Sequence, residues 1–263
     1  WASDFGGLYV SQGDSFRNVT TQIGLDQVEI NDLMLDHQGN LWLSTYGDGL
    51  ICVLSTDMLN YPTDPEKLRG PVNAIGQVGS DTWLASLGML SHFDGERLQT
   101  VESPYLGPKV YPYFVQHWDN KLLIGTARGA FSLDPAMPDD QALLFENGVT
   151  AALFDSLSGA WLGTYVGLYR QNGDTFEKIP GPQAGRRIMG LALWQGDLVI
   201  ATDSGLYRQK DGETSSLGLD ANAFVLALFA DKQDRLWFTT RKGLFFLTEV
   251  AAGDIQAKQV TGF

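Results

Sequence analysis

The sequence predicts an all-β fold in which one four-stranded sheet recurs seven times about a common axis. Three observations predict it. The first is a cassette repeated along all 263 residues. It reads WASDFGGLY from Trp1, WLSTYGDGLI from Trp42, WLASLGMLS from Trp83 and LIGTARGAF from Leu123. It returns as WLGTYVGLY from Trp161, VIATDSGLY from Val199 and WFTTRKGLF from Trp237. The lead positions lie 41, 41, 40, 38, 38 and 38 residues apart, so seven units use up the chain. The second observation is a small residue two places after every lead: Ser3, Ser44, Ala85, Gly125, Gly163, Ala201 and Thr239. The third is turn chemistry. Thirty glycines and frequent Asp, Asn and Gly clusters punctuate short apolar runs, as in a chain of many strands.

Within a unit, the lead residue opens strand b, and the small residue is followed by a hydroxyl at Thr45, Ser86, Thr126, Thr164, Thr202 and Thr240, with Asp4 the departure. A tight turn comes next, and Gly-Leu-Tyr or a near equivalent starts strand c, completing a hairpin. Ahead of each lead lies strand a, for example INDLMLD (30–36), VTAALFD (149–155) and VLALFAD (225–231). These runs are apolar on both faces, as strands covered on both sides are. Asp36, Asp155 and Asp231 are placed to bond the backbone of the a–b turn. A looser polar segment such as FEKIP (176–180) supplies an outer strand d. Four strands in about 40 residues, repeated radially, make a blade of a β-propeller. Face-to-face blades narrow inward and so require the same small residue at the same place.

The units led by Leu123 and Val199 lack the lead tryptophan but carry Trp118 and Trp194 five residues earlier. Indole bulk moved across the hairpin would fill a similar gap between blades, which requires both rings to be buried. The first unit has no strand a, and QVTGF (259–263) resembles the start of strand a in GVTAA (148–152). The C-terminal segment is therefore expected to begin the innermost strand of the first blade and close the ring. The chain is read as one propeller domain over 1–263, within a longer polypeptide.

Composition narrows the function. A net charge of −13 repels nucleic acid and anionic lipid. No apolar run reaches the roughly 20 residues of a membrane helix, so no direct membrane insertion is expected. The single cysteine, Cys52, excludes an internal disulfide and a thiolate metal site. His37, His92 and His117 share no metal-ligand spacing. No nucleophile elbow, phosphate loop or dinucleotide fingerprint occurs. No cofactor, metal or catalytic residue is predicted.

The pattern D-x-x-G-x-L-W-x-x-T-x-x-G-L stands as DHQGNLWLSTYGDGL (36–50), DSLSGAWLGTYVGL (155–168) and DKQDRLWFTTRKGL (231–244). It resembles the repeats of the two-component regulator propeller family across all seven units, weakly in the third and fourth. The resemblance implies the periplasmic sensing part of a membrane-anchored bacterial signalling protein, whose output domain is a histidine kinase or diguanylate cyclase. It also implies a homodimer formed through the full-length protein. Streptogramin lyases are similar propellers, but the histidine–glutamate cluster of that family has no match in the loops of this chain. A protein-docking scaffold and a lyase-like enzyme stand as alternatives to a ligand-binding sensor.

By analogy with other propellers, a ligand sits at the channel mouth, where b–c and d–a loops converge. The b–c loops offer Asp4, Phe5, Tyr46, Asp48, Arg128, Tyr165, Asp203 and Arg241. The d–a loops offer Arg69, Asn73, Tyr111, Tyr113, Arg186, Arg187 and Asn222. Five of the ten arginines fall in these loops, so an acidic protein is expected to present a cationic, aromatic-lined mouth. A planar guanidinium suits a carboxylate, sulfate or phosphate, and tyrosine suits a sugar or ring. The partner is therefore a small anionic or carbohydrate-like ligand, or a protein. The alternative is that these arginines pair with Asp4, Asp48 and Asp203 across neighbouring loops.

Overall fold

A computed structural model describes residues 1–4, 7–12, 15–36, 38–53, 58–61, 70–94, 97–155, 159–218, 224–249 and 255–260. Its strands follow the cassette. Blade two is built from strands a to d at Ile30–Leu35, Leu41–Thr45, Leu50–Val53 and Met58–Tyr61. Blade three runs Val72–Val78, Asp81–Ser86, Met89–Phe93 and Leu98–Val101, and blade four Pro112–Trp118, Lys121–Thr126, Gly129–Asp134 and Met137–Phe145. Blade five runs Val149–Asp155, Gly159–Thr164, Gly167–Asn172 and Thr175–Lys178. Blade six runs Ile188–Trp194, Asp197–Thr202, Gly205–Lys210 and Glu213–Ser216. Blade seven runs Val225–Ala230, Leu236–Thr240, Gly243–Glu249 and Ile255–Gln259. Each is an antiparallel sheet in the order a-b-c-d.

The expected count of seven four-stranded blades is corrected here. Among the described residues there are six, and the N-terminal cassette forms a three-stranded sheet from Ala2–Asp4, Gly7–Gln12 and Ser15–Asn18. Its first strand is strand b of the repeat, and among the described residues no strand pairs on its a side. Trp1 precedes that strand and is 43% exposed, unlike its buried counterparts Trp42, Trp83, Trp161 and Trp237. Of the predicted closing segment QVTGF (259–263), Gln259 ends strand d of blade seven and the Val260 N–H donates to the Leu244 carbonyl at 3.0 Å, while 261–263 lie outside the described residues.

The chain divides into two compact units, Trp1–Asn147 and Gly148–Thr261, apart from its last two residues. In the first unit the apolar clusters lie between successive sheets. Trp42, Leu50 and Cys52 of blade two meet Val72, Leu84 and Phe93 of blade three. Trp83 and Ala85 meet Val115, Leu122 and Ile124 of blade four. In the second unit Trp161 and Leu168 meet Ile188, Leu198 and Ile200, while Trp194 and Ala201 meet Val225, Leu236 and Phe238. Strand b is thus the element buried on both faces, with all five residues buried in Leu41–Thr45. The expectation had placed that double coverage on strand a. Strand a is instead partly exposed, because it is the edge of its sheet, and Leu193 and Phe229 on it face solvent.

The small residue after the lead is required by close approach. A β-carbon at Gly163 would collide with Ile188 of the next blade, and one at Gly125 with Phe114. The hydroxyl that follows caps the b–c turn. Thr45, Thr126, Thr164 and Thr202 each donate to the glycine carbonyl that opens or precedes strand c, at 2.8–2.9 Å. The same oxygens accept from turn N–H groups of Asp48, Arg128, Val166 and Ser204. Gly167, Gly205 and Gly243 then adopt φ of 129°, 126° and 123°, which L side chains rarely tolerate.

Asp36 accepts from the Gln38 and Asn40 backbone N–H groups and from Trp42 Nε1 at 2.9 Å, and Asp231 repeats the arrangement with Gln233, Arg235 and Trp237 Nε1 at 2.7 Å. The turn after Asp155 falls outside the described residues. Trp194 is 1% exposed and donates from Nε1 to the Asp234 carbonyl of blade seven, so its indole does bridge blades; Trp118 is half-buried. Truncating Trp194 to alanine should therefore cost about 3–5 kcal/mol in urea unfolding. Trp118→Ala should cost clearly less, and equal losses would contradict the bridging role.

Candidate functional site

The candidate residues gather at one end of each blade, where the b–c turn meets the start of strand a. A backbone bond recurs there: Tyr46 N–H donates to Glu29, Ala127 N–H to Tyr111 and Asp203 N–H to Arg187, at 2.9–3.1 Å. It fixes the residue ahead of strand a against the turn of its own blade. A second bond joins neighbouring blades. Gly88 N–H donates to the Val110 carbonyl in the first unit, and Gly185 N–H to the Val166 carbonyl in the second, each at 3.1 Å.

Strand a then does something that the cassette alone does not reveal. In all six blades the pairing of a with b slips at the second residue of strand a: Asn31, Asn73, Tyr113, Thr150, Met189 and Leu226. A bulge re-aims the side chain of the extra residue. Asn73 and Tyr113, expected in loops, are therefore bulged strand residues. Asn31 and Thr150 were not anticipated at all, and both clasp the next blade. Asn31 Nδ2 donates to the Val72 carbonyl at 3.1 Å, and Thr150 Oγ1 approaches the Ile188 carbonyl at 2.6 Å. Lining up strand a rather than strand b across the units would have shown a polar residue at this position in blades two to five, with Met189 and Leu226 the departures.

In the first unit, Tyr46 and Tyr111 are exposed, as are Asp48 and Arg128. Asn73 keeps a buried Nδ2 with no hydrogen-bond partner. Asp32 accepts from the Leu33 N–H at 2.9 Å and from the Ile75 N–H of the next blade at 3.4 Å. Burial pushes the Asp32 carboxyl up to about 6, against the smaller opposing pull of those two N–H groups. Phe5 and Arg69 lie outside the described residues, and of Asp4 only the backbone, ending strand b, is described.

In the second unit, Tyr165 sits in the b–c turn of blade five, and Arg186 and Arg187 end the loop entering blade six. The Arg187 guanidinium lies 4.9 Å from the Tyr165 ring centroid, and its Nε is buried without a hydrogen-bond partner. Arg241 lies 5.4 Å from the Phe224 ring centroid. Asn222 falls outside the described residues. Asp203 accepts from its neighbour Ser204 Oγ at 3.1 Å. Neither Asp48 nor Asp203 pairs with a described loop arginine, while Arg69 and the Asp4 side chain lie outside what is described. Among the described residues Arg128, Arg186, Arg187 and Arg241 make no ion pair. Elsewhere the same chain pairs such groups: Arg208 stacks on Trp194 and bonds Asp197 at 2.6 Å, and Arg235 stacks on Trp237 and bonds Asp231 at 2.7 Å. At the turn end, by contrast, Arg187 and Arg241 stack on a ring without an ion pair among the described residues.

His92 lies on strand c of blade three, 3.1 Å from Asp81, and His117 lies on strand a of blade four, whereas His37 is outside the described residues. Among the described residues no three His, Cys, Asp or Glu side chains converge.

Comparison with known proteins bears out the resemblance read from the motif. Residues 24–47 match the family model described as Two component regulator propeller. No curated protein matches the chain in sequence. The extracellular domain of a B. thetaiotaomicron protein described as a hybrid two component system is 18% identical with a TM-score of 0.62, over 86% of this chain and 39% of that one. A second such domain from that organism is 15% identical with a TM-score of 0.69, over 89% and 35%. Virginiamycin B lyase from Staphylococcus aureus is 15% identical with a TM-score of 0.70, over 89% and 85%. This chain thus spans about two fifths or less of the hybrid-system chains it resembles. These likenesses show the β-propeller fold.

The Asp32 shift has a signed consequence. A carboxyl whose folded pKa lies above its ordinary 3.8 stabilises the fold below that value, and the contribution is lost as pH rises through about 6. Asp32→Asn should therefore gain in melting temperature relative to the unsubstituted protein between pH 4.5 and pH 8. A difference that stays flat across that range would contradict a buried, proton-holding Asp32.

Proposed function

We propose that this chain is the sensing propeller of a bacterial signal-transduction protein, non-catalytic in this region, which recognises a small anion at the turn end of its second unit. In this reading the three-stranded N-terminal sheet is the seventh blade without its first strand. The observation that carries the ligand class is Arg187: a guanidinium stacked on Tyr165, with a buried and unpartnered Nε and, among the described residues, no ion pair with a carboxylate. A buried N–H left without a partner is costly unless something completes it. A planar donor fork completes best on a two-oxygen anion such as a carboxylate, sulfate or phosphate. Arg186 and Arg241 add field of the same sign in an otherwise acidic protein.

The repeat match at 24–47 and the likeness to extracellular domains of hybrid two component systems support a sensory role outside the cytoplasm. Output would come from a further domain of a longer chain, with dimerisation through that full-length protein. The likeness to virginiamycin B lyase is one of fold, and the unpaired stacked arginine supports recognition over catalysis.

Titration with phosphate, sulfate and acetate at constant ionic strength tests this reading, followed by calorimetry and by the Arg187 Nε–H resonance. Arg187→Ala should weaken the preferred anion by roughly tenfold to a hundredfold, the range for a charge-assisted hydrogen bond, while melting in the absence of anion barely moves. Tyr165→Ala should weaken it less. Anion binding unchanged in Arg187→Ala would overturn the assignment.

A further inference from the structure

Arg187 can act as a preformed anion receptor only if its backbone is held relative to Tyr165, which belongs to a different blade. Two bonds between blades five and six do this, one on each side of it. Before Arg187, the Gly185 N–H donates to the carbonyl of Val166, the residue after Tyr165, at 3.1 Å. After Arg187, the carbonyl of Ile188 lies 2.6 Å from the Thr150 hydroxyl on strand a of blade five. That hydroxyl also lies 3.1 Å from the Gly163 carbonyl, two residues before Tyr165. Ile188 is fully buried and sits where a side chain on Gly163 would be, so the segment has no room to slide. Arg187 itself is tied to its own blade through its carbonyl by the Asp203 N–H at 3.1 Å.

We infer that Thr150 is the positioning residue of the anion site: its hydroxyl locks the start of blade six onto blade five and so sets the stack of Arg187 on Tyr165. The inference rests on the anion reading above. The bulge is what makes it work. An unbulged second residue of strand a would stay in register with strand b, whereas here Thr150 has no partner in the a–b register and its side chain reaches two carbonyls, one in each blade. Thr150 touches no ligand in this scheme. Its effect on affinity comes from removing the ordering that Arg187 and the loop ahead of it would otherwise undergo on binding.

Asn31 supplies the control, since it makes the same clasp from the same bulged position between blades two and three, in the other unit. The experiment measures phosphate, sulfate or acetate affinity, whichever binds best, by calorimetry in Thr150→Val, Thr150→Ser, Asn31→Ala and Arg187→Ala, with the Arg187 Nε–H resonance followed in the variants that keep Arg187. Thr150→Val should weaken binding roughly fivefold, the factor that one hydrogen bond carries. Thr150→Ser should restore it. Asn31→Ala should lower the melting temperature without changing affinity, and Thr150→Val should add nothing to Arg187→Ala in the double variant. Should Thr150→Val not fold, Thr150→Ala removes the hydroxyl without setting a second methyl against the Ile188 carbonyl and carries the same expectation. Wild-type affinity in the hydroxyl-free variant, with Arg187→Ala still defective, overturns the role of Thr150 and leaves the anion reading standing. Wild-type affinity in Arg187→Ala overturns both.

Discussion

A strand covered on both faces has no water to satisfy its backbone, so each N–H and C=O must find a partner inside the protein. Strand b meets that condition in each four-stranded blade, with sheet neighbours on both edges and a neighbouring blade against at least one face. The cassette follows from this. The lead residue fills the gap to one neighbour, the next apolar residue faces the other, and the small residue lets the backbones approach. The hydroxyl then satisfies the turn at which the chain leaves the interior. Where the lead indole is missing, as at Val199, Trp194 enters the same interior from strand a and bonds across to the Asp234 carbonyl. The constraint is on volume and polar satisfaction, and two sequences meet it.

The aspartates of the a–b turns show the same economy. Asp36 and Asp231 each collect two turn N–H groups on one oxygen and an indole N–H on the other. Burial raises each carboxyl, but these donors together outweigh it and hold both below the usual carboxylate range. Asp32 is the opposite case, with two N–H donors, one of them long, and a deeper position. Asp32 and Asp36, four residues apart along strand a and its turn, thus diverge according to how many donors meet them.

Strand b, strand c and their turn were legible in the sequence because their requirements are local: a spacing of two, a hydroxyl and a glycine at positive φ. Strand d was legible only as polarity, and its length, nine residues in blade four against four in blade five, was not. The bulge on strand a was invisible because the cassette was aligned on its lead residue, and a bulge shifts register only on the other strand. That is why Asn73 and Tyr113 were assigned to loops, and why Asn31 and Thr150 were missed. The loop arginines could be counted in the sequence, but whether each had a carboxylate beside it depends on rotamers and neighbouring blades, which no spacing encodes. The double coverage was assigned to strand a because its apolar residues are as dense as those of strand b. Density alone does not tell an edge from a centre.

The threonine cap and the glycine that follows it enclose two or three residues whose backbones are bonded into the frame but whose side chains have no part in the core. Tyr165-Val166, Asp203-Ser204 and Arg241-Lys242 occupy equivalent places, yet share neither charge, size nor aromaticity. Such positions are interchangeable parts on a fixed chassis. A lineage carrying this cassette could exchange one recognition surface for another by point substitution, without passing through an unfolded intermediate genotype. Chemical diversity among relatives should therefore concentrate in those few residues, while the frame around them stays monotonous.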